Sequence, residues 1–167
     1  MKNVTDIKQN LIAEMKALFG TDQKRVNHAL AVLDYAQQIN SPQQADQLII
    51  TAAAILHDIG IQQAEKIHNS NAGKYQQIEG PPIAKAILQK YNIPPDAIDL
   101  ICRIIANHHS AKDKSTVKTN EFHVIWDADW LVNFPEIYPN IDPAKKAQLI
   151  NKIFKTEKGR RLAEENL

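Results

Sequence analysis

Thr51-Ala-Ala-Ala-Ile-Leu-His57-Asp58-Ile-Gly60 is an apolar helical run that delivers an adjacent histidine and aspartate and then meets a glycine stop. Its alanines allow close helix neighbours, which suits the central helix of a bundle. A neutral imidazole nitrogen from His57 and a carboxylate from Asp58 are ligands that a divalent metal of borderline softness accepts together. Two donors do not close a site. Further imidazoles and carboxylates stand at His28, His108, His109 and Asp129.

Working outward, the flanking chain reads as helices separated by short breakers. Upstream, Ile7, Leu11, Ile12, Met15, Leu18 and Phe19 recur at helical spacing and stop at Gly20. A second helix starts near Asp22 as N-cap and repeats Val26, Ala29, Leu30, Leu33, Ala36 and Ile39, with His28 beside that face. Ser41-Pro42-Gln-Gln44 reads as a capping box that launches the helix ending in His57-Asp58.

Downstream, residues 60–80 read as a long polar loop, the kind that is often functional in a compact domain. Pro81-Pro82 opens a fourth helix, and Asn92-Ile-Pro94-Pro95 breaks it and starts a fifth, which leads into Asn107-His108-His109. A second loop, from Ser110 to Thr119, carries Lys112, Lys114 and Lys118 as solvated charges. Asn120 then caps a sixth helix carrying Trp126, Asp127, Asp129 and Trp130, broken at Pro135, with the tryptophans read as core packing. Asp142-Pro143 begins a last amphipathic helix through Ala144, Ala147, Leu149, Ile150, Ile153 and Phe154. No stretch shows convincing period-two alternation. The expected fold is all-α, a compact bundle of about six to seven helices.

Length and composition set limits. The 167 residues, 44% hydrophobic and 23% charged, suit one domain with a real core. Twenty basic against nineteen acidic residues, a formal charge of +1, provide no strong field for nucleic acid or an acidic membrane surface. The longest nearly unbroken apolar run, Leu48 to Leu56, is about half of a bilayer span, and Met1-Lys-Asn-Val-Thr-Asp lacks a signal-peptide core. The expectation is a soluble, cytoplasmic protein. The single cysteine, Cys102, excludes an internal disulfide and reads as a buried thiol.

His28, the His57-Asp58 doublet with Gly60 following, and Asp129 within Asp127-Ala-Asp-Trp-Leu131 resemble the H…HD…D signature of the HD-domain metal-dependent phosphohydrolases. The resemblance covers roughly Arg25 to Asn133, leaving helices over about 5–19 and 142–165 as flanks of a single domain spanning 1–167. It places the metal ligands on His28, His57, Asp58 and Asp129. Ala128-Asp129-Trp130-Leu131 reproduces the Ala-Asp-x-Leu context of the family's last aspartate, which favours Asp129 over Asp127, and Asn133 resembles an asparagine that some members carry. Two imidazoles and two carboxylates suit Mn²⁺, Fe²⁺, Co²⁺, Ni²⁺ or Zn²⁺ better than Mg²⁺. An open ion of that kind polarises a phosphoryl oxygen and lowers the pKa of bound water from about 16 towards 7.

In members with two metals, extra histidines hold the second ion. His108-His109 looks like part of that set, but Tyr75-Gln76-Gln77-Ile78-Glu79-Gly80 supplies no imidazole where such members have one. One ion per chain is expected, with His108 or His109 binding phosphate or acting as general acid. Glu79 serves as acid, base or ligand of a second ion, and Arg25 and Lys74 meet the phosphate. His68 and His123 fall outside the pattern. The expected activity is hydrolysis of a small phosphorylated metabolite, a nucleotide or related monoester or diester, through a metal-activated water. The alternative is a non-catalytic HD domain that binds a nucleotide or metal as a regulatory module. The apolar first and last helices cover the bundle or pair with another subunit, giving a homo-oligomer.

Overall fold

The computed structural model describes residues 3–167, with residues 42 and 43 described by their backbone alone. Met1 and Lys2 of the amino-terminal stretch read above lie outside the described residues. The chain is all-helical: α1 (Val4–Phe19), α2 (Gln23–Gln43), α3 (Gln47–Leu56), α4 (Ile61–His68), α5 (Gly73–Gln89), α6 (Pro95–Asn107), α7 (Lys114–Val117), α8 (Asn120–Ile137), α9 (Pro143–Ile153) and α10 (Glu157–Asn166). Among the described residues no helix is long and apolar enough to cross a membrane.

The centre is α3. Every residue from Ile49 to Leu56 is buried, and the helix packs against α1, α2, α6 and α8. Ala52, Ala53 and Ala54 are fully covered, so small side chains let four neighbours crowd one short helix. Burial on all sides also explains why the run reads as nearly continuous apolar sequence rather than as one stripe.

The chain departs from its sequence reading at element boundaries. Helix α2 runs on through residues 41–43, and Asp46 rather than Ser41 caps α3, accepting from the Leu48 and Ile49 N–H groups at 2.9 and 3.1 Å. The Asn40 carboxamide closes the intervening turn by bonding both the N–H and the carbonyl of Ala45. Residues 61–80 are mostly helix. Ile61 and Ala64 form a short buried stripe on α4, and Asn69 stops that helix in the left-handed region at φ 51°. Helix α5 begins at Gly73, so Pro81 and Pro82 lie inside it. Thr119 rather than Asn120 caps α8, which continues past Pro135 to Ile137. Asp113 caps the extra turn α7 within the lysine-bearing loop.

Two glycines fix how α3 and α4 meet α5. A Cβ on Gly60 would lie 2.5 Å from the Gly80 nitrogen and 2.7 Å from its Cα, backbone atoms with no room to move. Gly60→Ala is therefore expected to destabilise the protein by about 2–3 kcal/mol, the scale of core overpacking. Thermal denaturation would read this as a fall of roughly 5–10 °C.

At the other end of the bundle, Glu14 on α1 accepts from the Tyr91 hydroxyl at 2.6 Å and from the Lys90 ammonium at 3.1 Å. These partners hold its carboxyl below the usual value. The stability this adds is present above the unfolded carboxylate pKa of about 4.3 and is lost as pH falls through the folded value. Tyr91→Phe is expected to flatten the acid limb of a stability-versus-pH curve below about pH 4.5.

Candidate metal centre

His57 follows the last residue of α3 and is fully covered. Its Nδ1 donates to the Ala54 carbonyl at 2.7 Å, which fixes the tautomer and leaves Nε2 as a lone pair aimed inward. His108 repeats the arrangement after α6, with Nδ1 bonded to the Ile105 carbonyl at 2.7 Å. Two helix C-termini, each the negative end of a helix dipole, thus bring a buried imidazole to one place.

Four residues on three elements, α2, the turn after α3, and α8, contribute donors. His57 Nε2 lies 3.2 Å from His28 Nε2 on α2. Asp58 Oδ2 lies 3.3 Å from each of these nitrogens, and Asp129 Oδ1 on α8 lies 3.1 and 3.4 Å from them. Ligands sharing one ion at about 2.0–2.2 Å sit roughly 3.0–3.5 Å from one another. The separations here fall in that range. Lone pairs and carboxylates converging this closely repel unless a cation lies between them, so the donor chemistry fits a divalent ion.

The electrostatics agree. Burial disfavours the His57 cation, yet the Asp58 and Asp129 carboxylates hold its pKa well above the ordinary histidine value. Burial would raise Asp58, but His57 and His108 hold it well below the usual carboxylate range. Asp129 is likewise lowered by its bonds to His28 and His57. Positive charge is strongly favoured at the centre, and a metal ion can replace the proton.

A second grouping shares Asp58. Its Oδ1 faces His108 Nε2 at 3.3 Å, and Asp58, His108 and His109 offer ligand atoms within 4.8 Å of one another. The His109 ring lies against His108 at a 43° tilt with centroids 3.9 Å apart, and its Nε2 meets Gln76 Oε1 at 3.0 Å. Gln76 also donates from Nε2 to the Asn71 carbonyl at 2.6 Å. Desolvation and the neighbouring His108 pull His109 down to about 4, so it is neutral at pH 7.

Residues 25–133 match the HD domain family. The chain belongs to the HD-domain family. The HD-domain fold also appears in a structural likeness: the crystal structure of a predicted HD superfamily hydrolase from an uncultured Thermotogales bacterium superposes with a TM-score of 0.69. That alignment is 19% identical and covers 99% of this chain and 91% of that chain. No curated protein matches the sequence.

Beside the donors of this HD domain opens a cleft of about 450 Å³, lined by His28, Asp58, Arg25, Asn133, Lys24 and Asn27 among others. A larger cavity of about 840 Å³ next to α9 contains none of the donors. Arg25 lines the cleft but is bound by Glu65 and Asp22. Lys74 is exposed, its ammonium 4.7 Å from the Tyr75 ring centroid. Glu79 accepts from His68 Nε2 at 2.9 Å. Neither Lys74 nor Glu79 is among the cleft-lining residues or the grouped donors.

Asp127 is turned away from the donors. Its carboxylate accepts from the Lys155 and Thr156 N–H groups and the Thr156 hydroxyl, each at 2.8 Å. That demand breaks the expected last helix into α9 and α10. Burial raises its pKa against the pull of those hydrogen bonds.

Sequence reading passed over Lys24, Asn27, Asn71 and Glu136 as cleft residues and Glu65 as the partner of Arg25. Helical spacing from the ligands would have found some of them: Lys24 and Ala31 flank His28, and Val132, Asn133 and Glu136 follow Asp129 on one face. Asn133 donates to Asp129 Oδ1 at 2.9 Å, orienting that carboxylate. Asn133→Ala is expected to weaken metal affinity about tenfold or more, readable by titration of the apo protein with Co²⁺ or Zn²⁺.

Proposed function

We propose that the chain is a metal-dependent phosphohydrolase that cleaves a small phosphorylated metabolite of nucleotide type. The supporting observation is that His28 and His57 each lie 3.1 to 3.4 Å from a carboxylate oxygen of both Asp58 and Asp129, beside an open cleft. One transition metal ion, Mn²⁺, Fe²⁺, Co²⁺, Ni²⁺ or Zn²⁺, suits a set of two imidazoles and two carboxylates. When bound, such an ion supplies Lewis acidity at the phosphoryl oxygen and acidifies water.

The chain's own residues supply the rest. The Ala54 and Ile105 carbonyls hold His57 and His108 with Nε2 turned inward. Asn133 fixes Asp129. Asp58 has one oxygen on the His28 and His57 nitrogens and the other toward His108, which positions His108 as the group that exchanges a proton with substrate or water. Gln76 occupies the flank where an imidazole would strengthen a second ion site, which favours one ion per chain.

The test is elemental analysis of protein purified without chelator or affinity tag, followed by a phosphate-release screen of nucleotides, sugar phosphates and diesters. About one transition metal per chain together with phosphate release supports the reading. Metal without release from any phosphate ester favours a regulatory binding module. No metal after incubation with Mn²⁺, Co²⁺ or Zn²⁺ removes the basis for hydrolysis.

A further inference from the structure

Resting on the phosphohydrolase reading, we propose that the cleft selects the singly phosphorylated form of a neutral, hydroxyl-bearing molecule and turns away polyphosphates. Glu65 and Glu136 set that choice.

The cations of the cleft are already engaged. Arg25 Nη1 lies 3.1 Å from Glu65 Oε2 and 3.0 Å from Asp22 Oδ2, while Nη2 lies 2.5 Å from Glu65 Oε1. A guanidinium held as a fork by one carboxylate cannot offer the same fork to a phosphate without releasing it. Lys24 faces Glu136 at 3.5 Å at the mouth. Both are well exposed, so the pair is weak and offsets the lysine's charge only in part.

Of the charged groups, Lys24, Arg25, Asp58 and Glu136 line the cleft, while Asp22 and Glu65 hold Arg25 and Asp129 holds His28 from behind that lining. A divalent ion at the centre still leaves more negative than positive charge. One phosphate can be met by that ion. Each further phosphate would extend into a region whose cations are already paired, against like charge.

The hydrogen-bonding groups point the same way. Asn133 gives one of its two Nδ2 hydrogens to Asp129, which leaves the acceptor Oδ1 and a second N–H for a ligand. Glu136 is also an acceptor. Asn27 Oδ1 takes the Gln23 amide at 2.8 Å, leaving its Nδ2. Among the described residues the Asn71 carboxamide bonds no protein group, although its backbone carbonyl accepts from Gln76. Acceptors need donors from the ligand, and phosphate oxygens only accept. Hydroxyls, which do both, satisfy the carboxamides and Glu136 together.

The test is calorimetric binding to the metal-loaded full chain, with free metal held constant so that chelation by the ligand is balanced. Adenosine 5′-monophosphate is expected to bind at least about tenfold more tightly than adenosine 5′-triphosphate. Ribose 5-phosphate should bind more tightly than methyl phosphate. Glu65→Gln and the surface variant Glu136→Gln should each narrow the mono-to-triphosphate ratio by several-fold.

Equal or tighter triphosphate binding overturns the proposal, as does a ratio that both variants leave unchanged, or no binding of either nucleotide. The expected preference without phosphate release keeps the specificity and sinks the phosphohydrolase reading. Release from triphosphate as fast as from monophosphate keeps the hydrolase and sinks the specificity.

Discussion

Asp58→Ala is expected to leave a folded protein with no retained transition metal and with phosphate release lowered by at least about 10²–10³-fold. Asp58 is the one residue common to both groupings of donors. One oxygen sits 3.3 Å from the His28 and His57 nitrogens, and the other sits 3.3 Å from His108. Removing it takes away a ligand charge and the orientation of His108 in one step, a larger change than losing a ligand's hydrogen-bond partner, which alone costs 10–100-fold. Because a carboxylate is lost from a covered site of like charge, the helix content by circular dichroism should not fall. Retention of a full complement of metal by this variant would show that the ion binds elsewhere.

Asp127→Ala should do the opposite. It leaves the Lys155 and Thr156 N–H groups and the Thr156 hydroxyl without their acceptor in a covered region. Unsatisfied donors cost about 1–3 kcal/mol apiece, and with partial relaxation a net loss of roughly 2–4 kcal/mol follows, or a melting point lowered by about 5–12 °C. Metal content should stay at the parent level. Asp129→Ala provides the matching control, with metal lost and the α9–α10 junction intact. A thermally normal Asp127→Ala protein would refute the anchoring role.

These two aspartates illustrate what the sequence could reveal. Both lie on one helix two residues apart, and spacing alone leaves either as the ligand. The Ala-Asp-x-Leu context pointed to Asp129, and His28 and His57 lie against that residue, while Asp127 meets a backbone segment 28 and 29 residues downstream. Main-chain N–H groups carry no side-chain signature, so nothing in composition announced that partner. Periodic apolar faces made the helices legible, above all α3. The short α4 was hidden because its buried stripe is only Ile61 and Ala64 among long polar side chains, which form helix well but look like loop. The helix ends were misjudged where side chains distant from the cap position, such as Asn40, close the turn. Glu65 was invisible as the partner of Arg25 because the pair is 40 residues apart and depends on how α4 docks.

His28 and Asp129 meet across 101 residues of chain, and His28 and His57 across 29. In an unfolded polymer those donors rarely come together, so an ion held by them would bind the completed bundle far better than the open chain. It would then act as a removable cross-link that closes long loops. By mass action, free metal at about 100 times its dissociation constant adds roughly 2.7 kcal/mol of stability. Metal supply would therefore set how long the protein survives heat or proteolysis as well as how fast it works. A cell short of the ion would hold less of the protein, in addition to holding it in a less active form.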